Sequence, residues 1–321
     1  MNLQQHVQTL YRTFGPPKQM GQSPELRTRP HFFLHRNFLG EQDLAILFST
    51  KRCRYQCKFC ALPLKSSRAF IEQDDVMTQY AYVIDEVKHS LGVLDRLTVA
   101  NEGSVFDEST FPPAALDAIV QSTRVLPRMK KIVLETRLEF ITTDRLRQVA
   151  DASGKRLDVL TGFETLDPTL RDGVLGKREP LDTVLAGLDI VAGVDADLTA
   201  YVLYKPSYEM SDDEAYAEAE RSMTFLVDEC ARRRIPLIIR LNPMYVARDT
   251  TWASAAEAHG GFSPPRLTDV MTLAGKMRAN GVRVYLGLTS EGLADGKTGT
   301  YRAREDFSSA ILKDAIVSNY G

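Results

Sequence analysis

The chain has 321 residues, 44% of them hydrophobic and 26% charged, with a formal net charge of −2. This is enough apolar material for the core of one large domain or two small ones, and it excludes an overall basic field for gripping nucleic acid. No apolar run approaches the ~20 residues of a membrane helix, and the start Met-Asn-Leu-Gln-Gln-His lacks a signal-peptide pattern, so a reducing, cytoplasmic setting is expected.

Residues 1–43 open with a short periodic stretch (Val7, Leu10, Tyr11, Phe14), followed by prolines at 16, 17, 24 and 30. Proline breaks long elements, so this segment reads as an N-terminal helix and an extended arm packed on the main body. His31 and His35 read as packing or surface residues of that arm.

From Leu44 the chain alternates. Apolar, β-branched runs at 44–49, 95–100, 131–135, 157–163, 197–204, 236–241 and 282–288 are separated by stretches of helical period at 73–90, 113–124, 142–151, 180–192, 211–234 and 265–279. Several helices begin with capping chemistry, such as Thr142 or Thr143 before Asp144, and Ser211 before Asp212, Asp213 and Glu214. The order predicts parallel βαβ units in an α/β fold, a partial or open barrel over 44–288 with a C-terminal extension over 289–321 packed on it.

Each predicted strand runs into polar residues at its C-terminal end, the rim where barrel enzymes collect their chemistry. The exits are Thr50 and the cysteines after it, Asn101-Glu102-Gly103-Ser104, Glu135-Thr136-Arg137, Gly162-Phe163-Glu164, Tyr204-Lys205-Pro206, Arg240-Leu241-Asn242-Pro243 and Thr289-Ser290-Glu291. Strand exits are commonly polar loops, but Glu135, Arg240 and Asn242 still lie within the strand-like runs. That position favours a site.

The first exit carries Cys53, Cys57 and Cys60, and the chain has one further cysteine, Cys230. Three thiols this close point to one small volume at a strand end. A structural zinc would need a fourth ligand, for which no nearby residue is placed. A disulfide fits poorly with an odd cluster in a cysteine-poor chain. An iron–sulfur cluster, normally held by four thiolates, would keep one iron open to a non-protein ligand. Cys230, at the end of the helix before the sixth strand, is expected at the opposite rim as a buried, inert thiol.

The pattern Cys-x-x-x-Cys-x-Phe-Cys resembles the signature of the radical S-adenosylmethionine (radical SAM) superfamily. The resemblance implies a 4Fe–4S cluster on Cys53, Cys57 and Cys60, with S-adenosyl-L-methionine (SAM) on the open iron, an electron donor such as flavodoxin or ferredoxin, and a 5′-deoxyadenosyl radical that abstracts hydrogen from substrate. It also implies that Phe59 lies near the adenine, that Asn101, Glu102, Gly103 and Ser104 contact SAM, and that Glu135 and Arg137 do so from the third exit. Glu164, Lys205, Arg240 and Asn242 would orient the substrate. In the competing account Lys205 pairs with Glu164, and Arg240 with Glu135, as structural ion pairs.

A narrower similarity spans roughly residues 40 to 290. The succession Leu-Glu-Thr-Arg (134–137), Gly-Phe-Glu-Thr (162–165), Lys177, Tyr-Lys-Pro (204–206), Leu-Asn-Pro (241–243), Thr250 and Pro-Pro-Arg-Leu (264–267) resembles the branch containing the radical SAM subunit of archaeosine synthase, itself related to the Elongator catalytic subunit. The chain departs from it at Gln56, where a glycine is usual. A small-molecule or nucleoside substrate is favoured by the near-neutral charge; tRNA is the other candidate partner, and a zinc-stabilised α/β binding protein is the reading from another class. Lys51, Arg52, Arg54, Lys58, Lys65 and Arg68 form a basic loop that could attract an anionic substrate or simply be solvated.

Overall fold

The computed structural model describes residues 27–247, 249–288, 304 and 310–320. The helix expected around 7–14, the exit at 289–291 and most of the C-terminal extension lie outside the described residues.

Eight strands form a single sheet in sequence order. β1 (Phe32–Phe38) and β2 (Glu41–Leu47) are an antiparallel hairpin, turned by Leu39 and Gly40 at φ +52° and +87°, the left-handed pair that tight hairpins require. β3 (Arg96–Ala100), β4 (Lys131–Glu135), β5 (Arg156–Glu164), β6 (Asp197–Tyr204), β7 (Leu237–Pro243) and β8 (Arg283–Leu286) follow, each parallel to its predecessor. The helices are α1 (Gln73–Val87), α2 (Pro113–Ser122), α3 (Thr143–Ser153), α4 (Leu181–Gly193), α5 (Asp212–Arg233), α6 (Thr251–Ala258), α7 (Leu267–Ala279) and α8 (Ala310–Val317). The seven expected strands and six expected helices are present as the α/β partial barrel; β1, α6, α8 and a single helical turn at Leu62–Lys65 are additions. α5 starts on a full capping box between Ser211 and Glu214, worth ~0.5–2 kcal/mol relative to an uncapped start.

Strand periodicity divides the residues between two faces. Leu44, Ile46, Leu97, Val99, Ile132, Leu134, Val159 and Leu198 are buried in the core shared with the helices. Their alternates, such as Asp43, Thr98, Asp158, Thr199 and Arg240, give the inner face a polar character although all are buried. At the N-terminal end of the sheet these groups satisfy one another. Asp43 accepts from Arg36 (2.8 Å) and Thr98 (2.7 Å), and Thr199 donates to Asp158 (2.9 Å). Burial acts to raise the Asp43 carboxyl, but Arg36 and Arg96 outweigh it and hold it below the usual range. Asp158 is pushed up to about 6 by burial, with Arg96 and Lys131 only partly offsetting.

β1 and β8 are the two edges of the sheet, and side chains bridge them. Phe38 stacks on Tyr285 at 4.3 Å between ring centroids. Asn319, beyond α8, pairs with both polar groups of the Leu286 backbone (2.7 and 2.8 Å), while its carbonyl accepts from the Leu39 amide (2.9 Å). Cys230 lies in α5 within the main core, where burial pushes its thiol up to about 12.

Candidate functional site

The cysteine loop leaves the C-terminal end of β2 under firm restraint. The Phe48 amide continues the ladder to the Ala100 carbonyl (2.8 Å). The Gln79 side chain bonds both backbone groups of Ser49 (2.9 and 2.8 Å), and the amide and hydroxyl of Thr50 both donate to one Glu102 oxygen (2.8 and 2.7 Å). Cys53, Cys57 and Cys60 then follow on one loop, each half-buried. Gln56 has φ +49°, so the position where a glycine is usual does take the left-handed conformation that glycine supplies at least cost.

Gly103, in the turn after β3, lies directly against the first cysteine. A Cβ there would meet the Cys53 Cβ at 3.3 Å and its Sγ at 3.6 Å. Burial pushes the Cys57 and Cys60 thiols up; the Lys177 ammonium and Arg137 guanidinium pull Cys57 back, whereas the neighbouring Cys57 pushes Cys60 further. Coordination deprotonates such thiols outright. Among the described residues no three His, Cys, Asp or Glu side chains form a set that could hold a metal ion. Three thiols on one loop are the donor type that an iron–sulfur centre takes.

Asn101, Glu102 and Ser104 are buried and already engaged. Asn101 donates to the Thr50 hydroxyl (3.1 Å) and accepts from the Gly103 amide (3.2 Å). Glu102, also in contact with His31, is pushed up to about 8 by burial, with the bonds from Thr50 opposing. Ser104 accepts from the Arg137 amide (2.9 Å). Glu135 is half-buried at the end of β4, and its carbonyl accepts from Val105 (3.0 Å). Arg137 donates to the carbonyls of Lys177 (2.9 Å) and Arg178 (3.2 Å) and covers the Tyr55 ring at 3.8 Å. Phe59 packs on a small apolar cluster at the rim made by Leu175, Leu203, Met244, Trp252 and Ala256.

Glu164 and Lys205, the exits of β5 and β6, both adopt left-handed φ (+69° and +64°). Such strain in non-glycine residues collects at functional sites. A bulge between Gly162 and Glu164 shifts the register to β6, and the Glu164 carboxylate folds over Gly162, where a Cβ would lie 2.2 Å from Oε1. Lys177 Nζ stands 3.8 Å from that carboxylate and 3.3 Å from Glu179, all three side chains buried. Burial would lower the ammonium, but Glu179 and Glu164 together raise it. Lys205 bonds Asp212 at 2.8 Å, so its ion pair is with the first turn of α5 and not with Glu164. Arg240 donates to the Tyr201 hydroxyl (3.3 Å) and faces the Tyr201 and Tyr285 rings at 5.0 and 5.6 Å. Asn242 lies flat on Gly287, where a Cβ would be 1.8 Å from its Oδ1. Glu179 and Tyr201 were not singled out from the sequence, and Asp212 was read only as a helix-starting acid.

In the basic loop, Arg54 is committed to Asp107 (2.6 and 3.1 Å) and Lys58 to the Gly173 carbonyl (2.6 Å). Among the described residues no helix is long and apolar enough to cross a membrane.

No protein-family model matches the chain. It is 22% identical over 205 residues to an uncharacterised protein of Methanocaldococcus jannaschii, the match covering 62% of this chain and 56% of that one. It is 20% identical over 248 residues to archaeosine synthase subunit beta of Methanosarcina acetivorans, covering 76% and 69%. Among solved structures, Elp3 of the archaeon Methanocaldococcus infernus superposes with a TM-score of 0.50 at 13% identity, over 76% of this chain and 59% of that one. The radical SAM methyltransferase TsrM of Kitasatospora setae superposes at 0.45 and 14% identity, over 68% and 40%. The chain thus spans only about 56% of the first of these relatives and about 40% of TsrM. With its partial barrel, its cysteine loop on the first parallel strand and these likenesses, the chain has the fold of the radical SAM enzymes and resembles, among them, archaeosine synthase subunit beta and Elp3.

Proposed function

We propose that the chain is a radical SAM enzyme acting on a small-molecule or nucleoside substrate, with Cys53, Cys57 and Cys60 holding a 4Fe–4S cluster and SAM completing it. The observation that carries this reading is the fixed loop of three thiols at the open rim, with Gly103 seated against Cys53. When bound, the cluster supplies the electron that cleaves SAM, and the hydrogen abstraction follows from that cleavage.

The chain's own contribution is placement. Gly103 lets the turn after β3 pack directly on the cysteine loop, since a Cβ there would crowd the Cys53 Cβ at 3.3 Å. Asn101, Glu102 and Ser104 hold the turn that presents it, and Phe59, Glu135 and Arg137 are assigned to SAM on the same rim. On the substrate side, Glu164, Lys205, Arg240 and Asn242 are assigned to orientation. Lys205 is already paired with Asp212 at 2.8 Å, so a substrate carboxylate would have to displace Asp212 to gain its charge-assisted bond.

The test is anaerobic reconstitution. The reading requires about four irons per chain with charge-transfer absorbance and reductant-dependent release of 5′-deoxyadenosine from SAM. A colourless chain with one zinc refutes it. The 20% identity to archaeosine synthase subunit beta favours a second reading, modification of a tRNA base. Salt-dependent association with tRNA would support that alternative; deuterium carried from a nucleoside or metabolite into 5′-deoxyadenosine would support the first.

A further inference from the structure

The cysteine loop does not support itself. Among the described residues, its one backbone bond between positions 53 and 60 runs from the Cys60 amide to the Cys57 carbonyl (3.1 Å). Beside the Arg54 side chain's bonds to Asp107 before the second cysteine, its remaining backbone anchorage is at Lys58, between the second and third cysteines. The Lys58 amide donates to the Leu175 carbonyl (2.8 Å), and Nζ donates to the Gly173 carbonyl (2.6 Å). The Lys58 carbonyl accepts from the Trp252 amide (2.9 Å). Gly176, at φ +64°, makes room, since a Cβ there would meet Lys58 Cγ at 3.1 Å.

The other end of this anchorage is equally fixed. Trp252 is among the largest fully buried side chains, and its indole N–H donates to the Pro206 carbonyl (3.0 Å), just past Lys205. Tyr208 and Phe262 meet its ring edge-on at 5.6 and 5.0 Å. Thr250 caps α6, its hydroxyl accepting from the Ala253 amide (3.1 Å) and donating to the Ala247 carbonyl (2.8 Å). A hydroxyl cap fixes the first turn of a helix, and that first turn is what presents the Trp252 amide to the loop.

We infer that Lys58, Thr250 and Trp252 are positioning residues for the iron–sulfur cluster, a tether through which the segments after β5, β6 and β7 set where the second and third cysteines stand. This inference rests on the reading that those cysteines hold the cluster. Groups that orient metal ligands from behind cost roughly 10- to 100-fold in metal affinity when removed. A tether that merely stabilised the fold would show in unfolding and not in the metal centre.

The experiment reconstitutes the full chain anaerobically as wild type, Lys58→Met, Trp252→Phe, Thr250→Val and Thr250→Ser. Iron per chain, the rate of iron release to a chelator and the EPR spectrum of the reduced cluster with and without SAM are measured, together with the urea midpoint of each iron-free chain. The expected result is iron release about 10-fold faster in Lys58→Met and Thr250→Val, with altered spectra. Thr250→Ser should behave as wild type, and the iron-free midpoint of Lys58→Met should be unchanged. Trp252→Phe keeps the apolar contact but loses the bond to Pro206, and should fall between. A wild-type chain holding its cluster, with all four variants matching it in release rate and spectrum, overturns this inference alone. A wild-type chain that takes up no iron overturns the cluster reading and this inference with it.

Discussion

Replacing Lys177 by Met tests whether the buried charges behind the fourth exit hold one another in place. Nζ lies 3.3 Å from Glu179 and 3.8 Å from Glu164, attractions of about 5 and about 4 kcal/mol at an effective dielectric near 20. Desolvation of each ion costs several kcal/mol, so the intact trio contributes little net, but removing its cation leaves two buried carboxylates at a cost of ~3–5 kcal/mol. The pH dependence has a definite sign. Burial would raise Glu179, yet Lys177 and then Arg137 hold it below its usual value. A depressed carboxyl contributes stability above its unfolded pKa of about 4.3 and loses it as pH falls through the folded value. Without the ammonium, only Arg137 and Arg171 oppose burial, so the Glu179 carboxyl rises and the variant loses less stability than wild type as pH falls toward the unfolded pKa. The deficit should therefore be largest at pH 7 and smaller at pH 5. Urea unfolding of the iron-free chain at both pH values measures it, and adding Glu179→Gln should restore much of the loss. A deficit under about 1 kcal/mol at pH 7, or one that widens in acid, refutes the reasoning.

Three further outcomes are expected. Gln56→Gly relieves a left-handed residue, where an L side chain costs ~1–2 kcal/mol, against ~0.5–1 kcal/mol of added chain freedom. It should stabilise the chain by about 0.5–1 kcal/mol in urea unfolding; destabilisation would mean that the Gln56 side chain is needed. Asn319→Ala deletes both bonds to the Leu286 backbone and should cost about 2 kcal/mol, with faster hydrogen exchange at the Leu286 amide. Glu102, at about 8, binds its proton more tightly folded than unfolded. Its contribution is fully present below the unfolded pKa and is lost as pH rises to about 8, so Glu102→Gln should flatten stability against pH over that range.

The strands and helices from β2 to β8 were legible because each is long enough to show its period. β1 was not, since Phe-Phe-Leu-His-Arg-Asn-Phe follows directly on a proline-broken stretch and its partner is the strand after a two-residue turn. α6 escaped notice because it is only eight residues long and carries no large apolar residue besides Trp252. The cysteine loop was readable from spacing alone, whereas the partners of the rim charges were not. Lys205 has Glu164 on the neighbouring strand, yet it pairs with Asp212, which had been read as a helix-starting acid. Gly162 and Gly287 looked like ordinary strand-end glycines. Their role lies in the side chains of Glu164 and Asn242 that rest on them, the one across a bulge within β5 and the other from the neighbouring strand, relations that periodicity does not encode.

The same two faces leave the two ends of the barrel with different polar groups. The helix-facing residues bury the apolar surface that holds the sheet together, so the inner face need not be apolar to support the fold. At its N-terminal end the polar inner residues are consumed by one another, and Phe38, Tyr285 and Asn319 draw the sheet edges together. A ligand entering there would have to break buried bonds of Asp43 and Asp158, each left at the penalty of an unsatisfied charge. At the C-terminal end the strained exits of β5 and β6, the glycine faces of Gly103, Gly162 and Gly287 and the three thiols meet the open rim.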